Sequence, residues 1–424
     1  MKRLMLIPFI TVVCLEATTM RELFDTLSHQ PTTELDKVAT QKATLAKEKI
    51  EANYYPKIDL FGNHTHYNSP SNLKPIDPIA TAELTKNHDA LPFAQNIEKI
   101  GIKASMPLFI KELSTLGKKA DLLIQSAKLK KRLNLYQNEA LLVGYNASLV
   151  YLEKMLLALN QTKKSLDTTQ RNIKIAVDSG RTPAIALDKI EEKLNSLDIS
   201  INNIELKQIE LISNIEDLTA IEIKHPISME LISDIDKQKL FALEPLEKSL
   251  DASRLEVQAT QEKKNYPKVS LNLMWSQNYT TDTINNKSDN EGYGYYQVGV
   301  EIPLYNKSLD SDIAMGKITV MKNRLKLEKS KQSLRVEAKK IQKELNLLEI
   351  SQGLTLKNIE KQENLLNYAK VAFETGSMTE EDYLQYEDDV LESKAKYYEV
   401  DAQKWQSLAK LAVIYGNDLK GVIK

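Results

Sequence analysis

The sequence is dominated by stretches in which apolar residues recur at alternating steps of four and three positions. Such stretches cover positions 129–150, 187–211, 341–373 and 391–412. A mean step of 3.5 residues places the apolar side chains along one stripe of a helix, as in coiled coils. The longest helix is expected at 308–375, which contains no proline. We therefore predict two pairs of long antiparallel helices.

Four short segments show a different pattern, because apolar and polar residues alternate one by one. They cover positions 57–67, 97–107, 268–279 and 293–303, and the first is the least regular. Alternation over about ten residues predicts strands with one apolar and one polar face, and about ten residues also suffice for a tilted membrane-spanning strand. On that interpretation the side chains facing lipid are Ile100, Ile102, Val269, Leu271, Leu273, Val298 and Val300.

The alternative for these strands is a pair of amphipathic hairpins that cover the core of a water-soluble protein. Membrane strands are favoured because a two-stranded hairpin is only marginally stable alone in water. Aromatic residues also lie near the strand ends, where a membrane–water interface enriches them. These residues are Tyr54, Tyr55, Tyr67, Trp275, Tyr279, Tyr293, Tyr295 and Tyr296.

Landmarks of the first half of the chain recur in the second half. Pro107 precedes Gly180 by 73 residues, and Pro303 precedes Gly376 by 73 residues. Landmarks in the same order with equal spacing predict two tandem repeats. The predicted segments are, in chain order, a signal peptide at 1–17, a first repeat at 18–224, a linker at 225–245 and a second repeat at 246–424.

Each predicted helix pair turns at a glycine. Gly180 and Gly376 suit the left-handed backbone that closes many helices. Thr182, which precedes a proline, is predicted to cap the next helix. Thr379 is predicted to cap the corresponding helix in the second half. Three acidic residues follow it in the first helical turn, Glu380, Glu381 and Asp382.

Composition narrows the functional classes. The 57 Lys and Arg residues nearly balance 58 Asp and Glu residues, which argues against a general nucleic-acid binder. A single cysteine excludes a disulfide framework. His64 and His66 share one strand face, either as two metal ligands or, as we prefer, as ordinary polar side chains. No nucleophile–base pair, phosphate loop or metal cluster is apparent, so we expect neither an enzyme nor a bound cofactor.

The N-terminus has the layout of a secretory signal peptide. A short basic start precedes ten apolar residues at 4–13, and Ala17 is a small residue at a cleavage position. The alternatives are a buried N-terminal helix and acylation of Cys14. The residues at 11–13 lack the small side chain expected before an acylated cysteine. We therefore expect cleavage near Ala17 and export from the cytoplasm.

Together these motifs resemble those of the TolC-like outer membrane efflux proteins. The amphipathic strand pairs carry the resemblance together with three short motifs that occur once in each half. These motifs are Tyr-Pro-Lys at 55–57 and 266–268, Pro-Leu-Phe/Tyr at 107–109 and 303–305, and the glycine turns at 177–180 and 373–376. The resemblance implies a mainly α fold with a small transmembrane β part. It further implies a homotrimer with a 12-stranded β-barrel on a helical periplasmic tunnel.

The resemblance also implies a location and partners. The protein would lie in the cell outer membrane, in contact with outer-membrane lipid, with a long periplasmic extension. A periplasmic adaptor protein and an inner-membrane pump of the RND or ABC type would dock at the helix turns, for drug efflux or type I secretion. The turn residues are Gly180, Gly376, Thr182 and Thr379.

In the family, acidic residues after the second hairpin glycine constrict the pore. The resemblance assigns that role to Glu380, Glu381 and Asp382, whereas the alternative is that these acids only cap a helix. The two roles are compatible. Some members carry a latching arginine two residues after that glycine, where this chain has Met378. Arg181 is the candidate substitute.

Elementary geometry also requires partners for the strands. Even small closed barrels use about eight strands, and this chain offers four. One alternative function is a periplasmic adaptor of the membrane-fusion type, which would have a single helical hairpin flanked by compact β domains. Another is a soluble structural coiled-coil protein, which leaves the alternating segments unexplained.

Overall fold

The computed structural model describes residues 19–89, 91–281 and 288–424, and at Glu380 and Glu381 it describes the backbone. The predicted signal peptide and Cys14 lie outside the described residues. Within the described chain most residues are helical, and a small antiparallel sheet is present. The prediction of a mainly α fold with a small β part is confirmed.

The helices include two of unusual length. The described helices are α1 (Met20–Leu27), α2 (Pro31–Glu51), α3 (Pro78–Lys86), α4 (Lys111–Asp178), α5 (Ile185–Thr219), α6 (Glu244–Asn265), α7 (Lys307–Glu374) and α8 (Glu380–Tyr415). Short 3₁₀ turns occupy Ala52–Tyr54, Phe241–Leu243 and Leu419–Gly421. α4 and α7 have 68 residues each, which corresponds to about 100 Å at the helical rise per residue.

The chain folds into two compact units. Of the described residues, the first unit contains those within Met1–Ala39, Lys128–Pro245 and Glu328–Lys424, and the second contains those within Thr40–Ala127 and Leu246–Leu327. Each unit therefore combines segments from both halves of the sequence. The helices α2, α4, α6 and α7 contribute residues to both units.

The first unit has a core built from helices that are distant in sequence. Four residues of α1 recur at helical spacing and are buried, Met20, Leu23, Phe24 and Leu27. Thr19 and Glu22 close the first turn of α1 as a capping box. α4 adds Leu142 and Leu149 to the same cluster, and α8 adds Leu411.

The segment that follows α8 folds back onto this core. Gly416 has a φ of 77°, and a Cβ at this position would lie 2.3 Å from Cγ of Phe241. Glycine is therefore required both for the backbone and for the space. Beyond it, the N–H of Ile232 donates to the carbonyl of Val422 at 2.8 Å.

Part of α4 is strongly apolar. Among the described helices, α4 is long enough and apolar enough, with a mean hydropathy of 1.2 over 18 residues, to span a membrane. A core helix has the same composition, and α4 supplies buried residues to two clusters of the first unit. Leu142 and Leu149 belong to one cluster, and Leu159 and Leu166 belong to the other.

The second unit contains one four-stranded antiparallel sheet in the order β1-β2-β3-β4. The strands are β1 (Lys57–Asn72), β2 (Phe93–Ile110), β3 (Lys268–Thr281) and β4 (Ser288–Glu301). The two hairpins are joined because β2 pairs with β3 over most of its length. β1 continues past the predicted end at 67, and β2 and β4 begin before the predicted starts at 97 and 293. In these added parts Asn72 pairs with Phe93, and Ser288 pairs with Thr281, although the regular alternation of apolar and polar residues has ended.

Candidate functional site

One face of the sheet is apolar and exposed in the single chain. The register places Leu60, Ile102 and Trp275 side by side across three strands, and directly opposed residues point to the same face. Five of the residues predicted to face lipid are exposed on it, Ile100, Ile102, Leu273, Val298 and Val300. The other two, Val269 and Leu271, are partly buried on it. A continuous exposed apolar surface of this kind marks a contact with a membrane or another protein.

The opposite face of the sheet is polar. Lys57, Ser105, Asn272 and Gln297 form one row across the four strands. The hydroxyl of Ser105 donates to Oδ1 of Asn272 at 2.8 Å. Such a surface is suited to water.

The sheet has two open edges. In the described chain, β1 pairs with β2 alone and β4 pairs with β3 alone. Each edge strand therefore presents backbone N–H and C=O groups that another strand can pair with. The same sheet therefore combines an apolar face, a polar face and two open edges.

The turn after α4 closes with a glycine in the left-handed conformation. Gly180 has a φ of 72°, and its N–H donates to the carbonyl of Val177 at 2.9 Å. The N–H of Arg181 donates to the carbonyl of Ala176 at 2.8 Å. These two bonds form a Schellman motif, as predicted for this glycine. The Arg181 side chain is exposed.

The prediction that Thr182 caps α5 is wrong. α5 begins at Ile185, and Ala184 occupies the N-cap position without a side-chain hydrogen bond to the helix. The carbonyl of Pro183 instead accepts from the N–H of Ala186 at 3.1 Å. The chain therefore enters the helix through a tight i→i+3 turn, which leaves the threonine outside the first hydrogen-bonded ring.

The turn after α7 has the same geometry as the first. Gly376 has a φ of 74°, and its N–H donates to the carbonyl of Phe373 at 3.0 Å. The N–H of Ser377 donates to the carbonyl of Ala372 at 2.8 Å. Both glycine turns are therefore closed by the same pair of backbone hydrogen bonds.

Thr379 caps α8, as predicted. Its hydroxyl oxygen accepts from the N–H of Asp382 at 3.2 Å and donates to Oδ2 of the same residue at 2.6 Å. The Asp382 side chain is exposed, so its carboxylate serves the cap while it faces solvent. The side chains of Glu380 and Glu381 lie outside the described residues. Arg181 belongs to the other turn, and in the described structure it forms no ion pair with Asp382.

A buried polar cluster near the second turn was not predicted. Glu387 is 6% exposed, and its Oε1 accepts from the hydroxyl of Tyr383 at 2.8 Å and from that of Ser165. Its Oε2 has no hydrogen-bond partner within the described residues. Burial raises the pKa of Tyr383 to about 12, so its hydroxyl remains a donor. One signal in the sequence could have revealed it. Glu387 is a charged residue four positions after Tyr383 and three before Val390, where the repeat of the helix calls for an apolar side chain.

A second buried acid lies in α4. Glu139 is 3% exposed, and its Oε2 accepts from the N–H of Leu419 at 3.1 Å. Burial, together with the nearby charge of Asp418, raises the pKa of Glu139 to about 8, whereas the Leu419 hydrogen bond and Lys420 oppose the change. The carboxyl is therefore mostly protonated at neutral pH. No local pattern distinguishes this glutamate from the many exposed ones.

The two strand histidines contact different residues. His64 Nδ1 lies 3.5 Å from a carboxylate oxygen of Glu98, and His66 Nδ1 lies 2.7 Å from Oδ1 of Asn96. Across the described residues, no group of three or more His, Cys, Asp or Glu side chains is arranged to hold a metal ion.

Neither a protein-family model nor a curated protein sequence matches the chain. Several solved structures do match. A membrane protein from Pseudomonas aeruginosa has a TM-score of 0.79 at 12% identity, over 94% of this chain and 91% of that one. The CmeC outer membrane channel of Campylobacter jejuni has a TM-score of 0.74 at 11% identity, over 97% and 94%. The open MtrE outer membrane channel of Neisseria gonorrhoeae has a TM-score of 0.73 at 12% identity, over 94% and 88%.

This chain has the fold of an outer membrane channel. The structural similarity extends over nearly the full length of this chain and of each matched chain, so it includes the long helices and the small sheet. The resemblance to TolC-like proteins is thereby confirmed at the level of the fold.

Proposed function

We propose that this chain is one protomer of an exit duct in the cell outer membrane, of the TolC-like type. The observation that carries the proposal is the sheet, with its exposed apolar face, its polar face and its two open edges. The apolar face would contact outer-membrane lipid, and the polar face would line a water-filled lumen. The likeness to outer membrane channels supports the same function.

The open edges support assembly as a homotrimer. Four strands cannot close around a lumen, since even small barrels use about eight. If β4 of each copy pairs with β1 of the next, three copies supply a 12-stranded barrel without free edges. The two tandem repeats, each with one hairpin and one pair of long helices, belong to this proposal.

The long helices would form a periplasmic tunnel. The turns at Gly180 and Gly376, with Thr182 and Thr379 beside them, are the proposed docking points for a periplasmic adaptor protein. An inner-membrane pump of the RND or ABC type would complete the assembly. Such a complex would pass drugs or secreted proteins to the exterior, and this chain would catalyse no reaction in that process. The signal peptide predicted at 1–17 fits this route.

Native mass measurement of the detergent-extracted protein tests the proposal. We expect three times the mass of one chain, and cation or anion currents when the purified protein is added to a planar lipid bilayer. A monodisperse monomer that conducts no current would contradict the exit duct.

A further inference from the structure

The residues at 417–424, here named the clasp segment, fold back onto the first unit after α8. Three of their apolar side chains are buried in its core, those of Leu419, Val422 and Ile423. Lys424 exchanges two backbone hydrogen bonds with Glu230, each of 3.0 Å. The side-chain amide of Asn417 accepts from the N–H of Asp236 and donates to its carbonyl, both at 2.9 Å. The clasp segment is therefore held by both apolar and polar contacts.

Glu139 of α4 lies directly against the clasp segment. Its side chain is buried, and the hydrogen bond from the N–H of Leu419 to its Oε2 joins α4 to a residue 280 positions away. The same turn of the segment carries Asp418, whose carboxylate accepts from the N–H of Lys420 at 3.1 Å. Two carboxyl groups therefore meet at one turn, and one of them is buried. Burial favours the uncharged form of a carboxyl.

The charges that act on Glu139 come from the clasp segment itself. The charge of Asp418 disfavours ionisation of Glu139, and the charge of Lys420 favours it. The ammonium of Lys420 also forms an ion pair with Asp25 of α1, so Glu139 shares this cation with another acid. Burial and Asp418 prevail, and the pKa of Glu139 rises from the ordinary 4.5 to about 8.

Two other charged side chains near the clasp segment have partners of their own. The guanidinium of Arg132 lies 5.2 Å from the ring centroid of Phe241 and donates to the hydroxyl of Tyr136 at 2.9 Å. The carboxylate of Asp236 accepts from the N–H of Gln238 at 3.1 Å. The carboxyl of Glu139 and the charge of Asp418 are therefore the groups to change in a test.

We propose that the clasp segment is an alkaline-sensitive clasp, which stays closed on α4 while Glu139 is protonated and opens more often once Glu139 is ionised. In the closed state an ionised Glu139 is buried beside a second carboxylate, which is costly. Opening gives this carboxylate access to water and separates it from Asp418. It also releases the ion pair that Lys420 forms with Asp25 of α1. The inference concerns the core of the first unit and stands without the exit duct.

Proton linkage gives the size of the expected effect. The closed state keeps the proton of Glu139 up to about pH 8, whereas an open, hydrated Glu139 loses it near the ordinary 4.5. Between these values, the ratio of open to closed clasp segments should rise about tenfold for each pH unit. Above pH 8 both states are ionised, and the rise should level off.

Hydrogen exchange of the full chain in detergent, followed by mass spectrometry of a peptide covering 417–424, tests the clasp. After correction for the intrinsic acceleration of exchange with pH, opening in the wild type should increase about 100-fold from pH 5.5 to pH 7.5. A peptide around Leu197, which belongs to the other apolar cluster of the first unit, is the internal reference. Its corrected exchange should stay constant.

Three variants assign the effect to its groups. Glu139→Gln stays neutral at every pH and keeps an oxygen for the N–H of Leu419, so its opening should not change with pH. Asp418→Asn changes an exposed residue, keeps an oxygen for the N–H of Lys420 and removes the second negative charge, so the increase should be smaller than in the wild type. Glu210→Gln in α5 is the matched control and should behave as the wild type does.

The outcomes that would overturn the clasp are distinct. An equal increase in the wild type and in Glu139→Gln would mean that another group opens the segment. An increase of the same size in the Leu197 peptide would mean that the whole unit unfolds and that no local clasp exists. A full wild-type increase in Asp418→Asn would remove the role assigned to the second carboxylate.

Discussion

The rings of Phe373 and Tyr383 stack across the turn between α7 and α8, with centroids 5.0 Å apart and planes inclined by 12°. Phe373 lies in the last turn of α7, and its carbonyl also accepts the N–H of Gly376. Tyr383 lies at the start of α8 and donates to Glu387. The stack therefore joins the backbone hydrogen bonds of the turn to the buried polar cluster.

The stack predicts an energetic coupling between the two rings. In a double-mutant cycle of Phe373→Leu and Tyr383→Leu, we expect a coupling of about 0.5–1.5 kcal/mol, the range for aromatic pairs. Hydrogen exchange of the Gly376 and Ser377 amides provides the measurement. Tyr383→Phe is the matched control, because it keeps the ring and removes the hydroxyl. Additive effects of the two leucine substitutions would mean that the rings contribute nothing as a pair.

The two faces of the sheet predict opposite responses to a charge. Val298→Arg places a cation on the apolar face and should cost about 2–4 kcal/mol near the middle of a bilayer. Gln297→Arg places the same charge on the polar face of the same strand and should be tolerated. The yield of assembled trimer in the outer-membrane fraction measures the difference. Equal yields would show that the apolar face does not meet lipid.

Because Glu139 is buried, we expect the thermal stability of the protein to fall as the pH rises. Its pKa is about 8 when folded against an ordinary value of 4.5, so the folded state holds the proton more tightly. The contribution of Glu139 to the free energy of unfolding is complete below pH 4.5, and it is lost as the pH rises through about 8. Each unit of the shift corresponds to about 1.4 kcal/mol. The midpoint of thermal unfolding should therefore drop between pH 5 and pH 8.

Glu139→Gln tests this pH dependence. The amide stays neutral and keeps an oxygen that can accept from the N–H of Leu419. The unfolding midpoint should therefore drop less between pH 5 and pH 8 than it does in the wild type. Glu210→Gln, which changes an exposed glutamate of α5, serves as the control and should leave the drop unchanged. Parallel curves for the wild type and Glu139→Gln would show that Glu139 does not govern the pH dependence.

Asp382 either contributes a negative charge to the pore or serves only as part of the cap of α8. If the acids at the start of α8 surround the trimer axis, Asp382→Asn should lower cation preference, and added salt should weaken the effect. The measurement is the reversal potential in a planar bilayer under a salt gradient. The double variant Glu381→Gln with Asp382→Asn should shift it further.

A separate variant isolates the cap. Thr379→Ala removes the hydroxyl that bonds Asp382 and should cost about 1 kcal/mol of local stability while the charges stay in place. Its reversal potential should equal that of the wild type. If the potential is also unshifted in Asp382→Asn trimers, capping is the whole role of this acid.

The long helices and their closing glycines could be predicted from sequence. The helix expected at 308–375 is observed as Lys307–Glu374, because the apolar stepping and Gly376 are both local signals. The strands could be located from their alternation, but β1 was ended too early and β2 and β4 were started too late at the connections. The regular alternation stops there, whereas the backbone hydrogen bonds of the ladder continue.

Other features depended on contacts that no local pattern records. Thr182 has the residue type of a cap, yet the chain enters α5 through Pro183. Glu139 is an acid like many others in the sequence, and only its neighbours bury it. The union of the two hairpins in one sheet depends on β2 meeting β3 across more than 150 intervening positions.

The sequence by itself determined where the long helices and the strands lie and which face of most strands is apolar, but it did not reveal α3. These properties follow from side-chain periodicity along a few turns or a few residue pairs. The tertiary structure alone decided that the hairpins share a sheet, that Asn278 donates to the carbonyl of Leu73, and that Glu139 and Glu387 are buried. Burial and pairing depend on residues far apart in the chain, and their energies exist only when those residues meet.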